Sequence, residues 1–168
     1  MKILLLSFTT LVLFVGCGNR HPEKIIHNEE TAPISYVEND DPEMNGAMAL
    51  ARKTMPEFTK AFRSADPNNK DFSIKVKFGD DKSGEHIWVG DLQYTPAGYT
   101  GVIANVPEAT PGLSMGDTVQ IEPGNISDWM YLDNKHKLYG SYTTRVLLKR
   151  MSPEERKQFD EQTGWVIE

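Results

Sequence analysis

Apolar positions change their spacing four times along this chain, and each change marks a different element. Ile3 to Val15 is a continuous apolar run behind Met1-Lys2. It falls short of the roughly 20 apolar residues a spanning helix needs and matches the core of a secretory leader. Gly18 to Ile34 is polar and irregular, with Asn19, Arg20, His21, Glu23, Asn28, Glu29 and Glu30. It lacks the apolar content to fold alone. A helical period begins after Asp40-Asp41-Pro42-Glu43, where a carboxylate can accept amide protons and proline suits the first turn. Met44, Met48, Ala51, Met55, Phe58 and Phe62 recur every three or four residues and form one stripe. Pro56 interrupts that stripe, and Thr54-Met55-Pro56-Glu57 has capping-box spacing. The pattern predicts one helix kinked at Pro56 or two helices, about 42–53 and 56–63.

The period turns to two after the Asp66-Pro67-Asn68-Asn69 turn cluster. Phe72, Ile74, Val76 and Phe78 alternate with Ser73, Lys75 and Lys77, a strand with one buried face. Glu85 to Tyr94 places Ile87 and Val89 on one face and Trp88, Leu92 and Tyr94 on the other, as a central strand covered twice would. Thr95-Pro96-Ala97-Gly98 suits a tight reversal into Tyr99 to Asn105. Gly116 to Ile121 looks like a turn feeding another strand, and Ser127 to Asp133 with Lys137 to Gly140 look like a hairpin. Helical spacing resumes near Thr143 through Val146, Leu147 and Arg150. Ser152-Pro153-Glu154-Glu155 starts a last helix that ends before Gly164, with Trp165 and Val166 folding back. The class is α+β: an antiparallel, partly barrel-like sheet of about five strands, an N-terminal helix and C-terminal helices.

Composition narrows the function classes. The chain carries 18 Lys+Arg against 24 Asp+Glu, a formal charge of -6. Loss of residues 1–16 would remove Lys2 and make it one charge more negative. Nucleic-acid binding needs clustered positive charge, so none is expected. Cys17 is the single cysteine, so no internal disulfide can form and an ordinary core must supply stability. The organisation expected is a signal peptide over 1–16, a polar tether over 17–35 and one domain over 36–168.

Phe14-Val15-Gly16-Cys17 resembles the bacterial lipobox, with Phe14 departing from the usual leucine. That resemblance implies cleavage before Cys17 and acylation of Cys17, with fatty chains such as palmitate anchoring the protein. Two or more chains hold a protein stably at a bilayer. Gly18 follows where an aspartate tends to retain Gram-negative lipoproteins at the inner membrane, so in a Gram-negative cell the outer membrane facing the periplasm is the expected site. The bland alternative is a secreted protein whose Cys17 is incidental.

Glu85-His86-Ile87-Trp88-Val89, Gly101-Val102-Ile103-Ala104-Asn105, Gly116-Asp117, Ile126-Ser127-Asp128-Trp129-Met130 and Gly140-Ser141-Tyr142-Thr143-Thr144-Arg145 together resemble the YegJ-like family of bacterial proteins of unknown function. The resemblance covers roughly 36–167. It implies an α+β domain, often on secreted or lipid-anchored chains, and it supplies no catalytic residues.

The residues themselves offer two constellations. His86 could act as acid, base or ligand, or could be a hydrogen-bonding strand residue. Asp91 lies five positions on, across the strand, so the two do not pair locally. Asp128 could cap a turn through its own backbone or pair with Arg145 and fix the final helix to the sheet. The functional alternative groups His86, Trp88, Asp128, Trp129, Tyr142 and Arg145 around a binding groove, since aromatics with arginine are common at binding hot spots. Met44, Met48 and Met55 at helical spacing beside Phe58 read as core rather than a soft metal site. Ser114, Ser127 and Ser141 lie in no nucleophile elbow, no phosphate loop is present, and no metal-ligand spacing or cofactor motif occurs.

These observations lead to a lipid-anchored envelope protein whose domain binds an unidentified protein or small ligand without catalysis. The alternatives are a hydrolase using His86 with Asp128 or Asp117, and an antitoxin-like inhibitor of a protein effector.

Overall fold

In a computed structural model the chain is described over residues 41–80 and 84–168. Cys17, the leader and the tether lie outside the described residues. Helix α1 (Pro42–Ser64) starts where its carboxylate cap predicts: Asp41 accepts the amide protons of Glu43 at 2.9 Å and Met44 at 3.0 Å. The helix runs unbroken through Pro56. The Thr54–Glu57 capping box does not form, because the Thr54 hydroxyl turns back to the Leu50 carbonyl at 2.9 Å. Pro56 has no N–H for the Arg52 carbonyl. One residue earlier, the Trp129 indole N–H donates to the Ala51 carbonyl at 3.0 Å, tying this part of the helix to the sheet.

Six antiparallel strands follow: β1 (Asn69–Phe78), β2 (Glu85–Thr95), β3 (Gly98–Ile103), β4 (Thr118–Ile121), β5 (Ile126–Asp133) and β6 (Leu138–Gly140). Their order in the sheet is β4-β3-β2-β1-β5-β6, one strand more than expected. Ile121 ends β4 and Ile126 begins β5, yet β3, β2 and β1 lie between them. Four strand spacings of about 4.8 Å make about 19 Å in a flat sheet. Five chain steps reach at most about 18 Å, and the 3-10 turn at Pro123–Asn125 shortens them. The sheet must therefore curl strongly. It stays open rather than closing into a barrel, with β4 and β6 as its edges.

The curl wraps α1. Phe58 meets Phe62, Phe72, Tyr99 and Trp129, so rings from β1, β3 and β5 close on one helix position. Ile74, Val76, Ile87 and Val89 complete that core. In β2 the alternation breaks at Asp91, whose φ of +44° accompanies a register shift between Gly90 and Gln93. A bulge adds one residue and reverses the faces beyond it. Leu92 accordingly joins the α1-facing core, and Tyr94 lies 4.6 Å from Tyr99. The expectation that Leu92 and Tyr94 share the Trp88 face is thereby corrected.

Helix α2 (Tyr142–Arg150) packs on the first half of α1 through Val146, Met44 and Ala47. Helix α3 (Pro153–Thr163) begins with the expected Ser152–Glu155 capping box and ends at Gly164. The tail returns beside β6, where Val166 pairs in parallel with Lys137. Trp165 and Ile167, with Trp88, then pack on Met130, Leu132 and Leu138 on the sheet face away from α1.

Candidate functional site

Strand β5 alternates like any other, so Trp129 and Tyr131 face α1 while Asp128 and Met130 face away. Asp128 is fully buried there. Its Oδ1 accepts the amide protons of Trp129 at 2.8 Å and Tyr142 at 3.1 Å. Its Oδ2 accepts the Thr143 amide proton at 2.7 Å and the Thr143 hydroxyl proton at 2.6 Å. Tyr142 and Thr143 open α2, whose own cap residue Ser141 makes no side-chain cap bond. Asp128 thus caps α2 from a strand 14 residues upstream. A negative group at a helix N-terminus is favourable for the same reason that local caps are.

The countercharge is Lys75, the β1 partner of Asp128 in register. The Lys75 ammonium donates to the Thr143 hydroxyl at 3.3 Å and lies 4.8 Å from the Trp88 ring centre. Lys75, Thr143 and Asp128 therefore form a relay of donor, hydroxyl and carboxylate. Burial pushes the Asp128 carboxyl up, and the Lys75 charge, the Thr143 bonds and the Trp129 amide pull it back. Burial likewise lowers Lys75, against the Asp128 charge.

Arg145 takes no part in this cluster, so the expected Asp128–Arg145 pair is not formed. Its Nε and Nη2 donate to the Gly140 and Leu138 carbonyls, each at 2.9 Å, and its Nη1 donates to the Glu168 carbonyl at 2.7 Å. The guanidinium covers carbonyls of β6, the edge strand, and pins Glu168 to it. Trp129 and Tyr142 meet edge to face, ring centres 5.7 Å apart, on the α1 side of the sheet. Trp88 stands on the other side with Lys75. The six residues of the expected groove are divided between the two faces and an edge: the structure brings Trp88 toward the Asp128 cluster and Trp129 toward Tyr142, and does not bring all six together.

His86 is exposed and pairs in register with Lys77. Crowding of its ring, then the charges of Lys75, Lys77 and Arg52, lower its pKa from 6.5 to about 4. Water contact tempers the crowding contribution, but every cause acts in one direction. Between those two values the unfolded chain binds a proton at His86 that the native chain does not, so stability rises with pH across the window. His86→Gln is expected to flatten that part of the profile of urea midpoint against pH. An unchanged slope would remove His86 as its source. Asp117 serves its own loop, accepting the Ser114 amide proton at 2.8 Å.

A groove of about 870 Å³ opens on a different side, between α1 and the β4–β5 connection. Arg52, Lys60 and Arg63 line it with Met55, Pro56 and Thr59 from the helix, and Pro123 and Ile126 form the opposite wall. Among the described residues no acidic one lines it. Arg52 donates to the Ile126 carbonyl at 3.1 Å, and the Arg63 guanidinium sits 5.6 Å from the Tyr94 ring centre. Sequence reasoning missed this groove, although Arg52, Met55, Pro56, Thr59, Lys60 and Arg63 share one helix face by spacing. It also missed Lys75 and Thr143, which alternation alone assigns to an outer strand face and a helix start. Among the described residues no group of three or more His, Cys, Asp or Glu is placed to hold a metal ion.

Residues 41–166 match the model of a family described as an uncharacterized protein conserved in bacteria (DUF2314). The chain is 33% identical over 116 residues to the uncharacterized protein YegJ of Escherichia coli (strain K12), covering 69% of this chain and 74% of that one. It is 32% identical over 143 residues to a putative ankyrin repeat protein of Neisseria meningitidis serogroup B, covering 80% of this chain but 55% of the meningococcal protein. No solved structure matches. Since the family match takes in every helix and strand from α1 to α3, the chain belongs to the DUF2314 family.

Proposed function

We propose that this protein is a lipid-anchored bacterial envelope protein whose domain binds a ligand or partner without chemical turnover. The anchor rests on the apolar run Ile3 to Val15 and on Val15-Gly16-Cys17. The groove beside α1 carries the binding reading. Its size falls in the range of about 300–1,000 Å³ common to small-molecule sites, and among the described residues three cations and no carboxylate line it. Asp128, one of the two aspartates a hydrolase would use with His86, has both oxygens engaged by four donors, three of them at the start of α2.

Cys17→Ser is expected to move the protein from the membrane fraction to the soluble fraction. Mass spectrometry of the wild-type N-terminus should find an acylated cysteine as the first residue. Membrane association that survives the substitution would defeat the anchor. Turnover in a broad hydrolase screen that disappears in a folded His86→Ala variant would replace binding with hydrolysis.

A further inference from the structure

We propose that the groove beside α1 binds an amphipathic anion, with a carboxylate or phosphate head between Lys60 and Arg63 and an apolar chain along Met55, Pro56 and Ile126. This rests on the binding reading above and names the ligand class. A row of cations on a surface helix is by itself an ordinary solvated face. Here it is the floor of an open groove, because Pro123 and Ile126 stand opposite the helix.

Two of the cations are held in place. Arg52 is tied to the Ile126 carbonyl at one end, and Arg63 stacks against Tyr94 at the other. The eleven-residue separation of Arg52 and Arg63 spans about 16 Å along the helix, long enough for an extended chain. Lys60 and Arg63, three residues apart, present neighbouring charges to one head group. The helix C-terminus carries about half a negative charge, which two formal positive charges outweigh. Between the ends the lining is mainly apolar, and a plain inorganic anion would leave Pro56 and the exposed part of Met55 in water. The protein as a whole is acidic at -6, so this concentration of positive charge is local and selects for an anion at one place.

The test uses residues 17–168 carrying Cys17→Ser, so that neither the leader nor an acyl group competes. Decanoate and decyl phosphate, each below its micelle concentration, are titrated by calorimetry and by NMR. Both are expected to saturate one site and to shift the Met55 and Thr59 signals. The Lys60→Gln/Arg63→Gln pair should weaken both by about tenfold or more while leaving the thermal midpoint in place. Decanol binding as tightly as decanoate would overturn the proposal, as would inorganic phosphate binding as tightly as decyl phosphate. So would phosphatidylglycerol vesicles binding where the monomeric anions do not, since that would make the groove a membrane contact. Absence of binding by every probe would overturn it too. The anchor and its fractionation test would survive any of these results.

Discussion

Asp128→Ala is expected to destabilise the domain by about 3–5 kcal/mol, the range for breaking a buried charge pair from one side. Removing the carboxylate leaves the Tyr142 and Thr143 amides at the start of α2 without their acceptor and Lys75 without its countercharge. Denaturant unfolding would show the loss as a lower midpoint. Asp128→Asn should recover little of it. An amide offers one oxygen, and its NH2 group must then face the Thr143 N–H or the Trp129 and Tyr142 N–H groups, donor against donor. Lys75→Met should cost less than Asp128→Ala, because Asp128 keeps all four donors and the buried ammonium is gone. The double variant Lys75→Met/Asp128→Ala should cost less than the two single changes together, with a coupling of about 1–3 kcal/mol. A loss under about 1 kcal/mol for Asp128→Ala would mean that α2 finds its cap elsewhere, and strict additivity would mean that Lys75 and Asp128 are not coupled.

The same cluster shows where sequence reasoning stops. Local signals survived folding: Asp41 caps α1, the Ser152–Glu155 box opens α3, and Gly164 closes it. Each needs only residues within one turn. Phe72, Ile74, Val76 and Phe78 likewise face the core because alternation is a property of the strand itself. Leu92 and Tyr94 escaped that logic, since one left-handed residue at Asp91 inverts every later position. Thr54 escaped it in the opposite sense. It has the spacing of a cap, but continuing the helix under Trp129 wins over starting a new one. Asp128 is legible as a residue that could cap a turn or form an ion pair, yet its partner is not. Lys75 reaches it only through the pairing of β1 with β5, which no spacing in the chain records. Arg145 has the right charge but serves the β6 edge instead. The groove follows the same rule. Its helical floor is periodic, whereas its wall depends on how sharply the sheet curls to let a five-step link join β4 to β5.

Gly140→Ala is the second change expected to be severe, at about 2–5 kcal/mol. Gly140 ends β6 at φ +69°, and Ser141 follows at φ +54°. These two left-handed residues turn the chain from the sheet edge into α2. A non-glycine residue pays roughly 1–2 kcal/mol for that backbone conformation. A methyl group at Gly140 would also collide with the Trp129 carbonyl and with the indole ring, whose Cζ3 would lie 2.6 Å away. Neither can yield easily. The same carbonyl accepts the Ser141 amide proton at 2.7 Å, and the indole is held by the Ala51 carbonyl. Overpacking against such fixed neighbours adds about 1–3 kcal/mol. Any backbone movement that relieved the clash would draw Tyr142 and Thr143 off Asp128, so the strain and the lost cap compound each other. Gly112→Ala separates the two contributions. Gly112 sits at φ +82° with nothing within 4 Å of the added carbon, so it should cost only the backbone portion. Equal losses at the two positions would show that Trp129 gives way and that the turn, not the packing, sets the requirement for glycine at position 140.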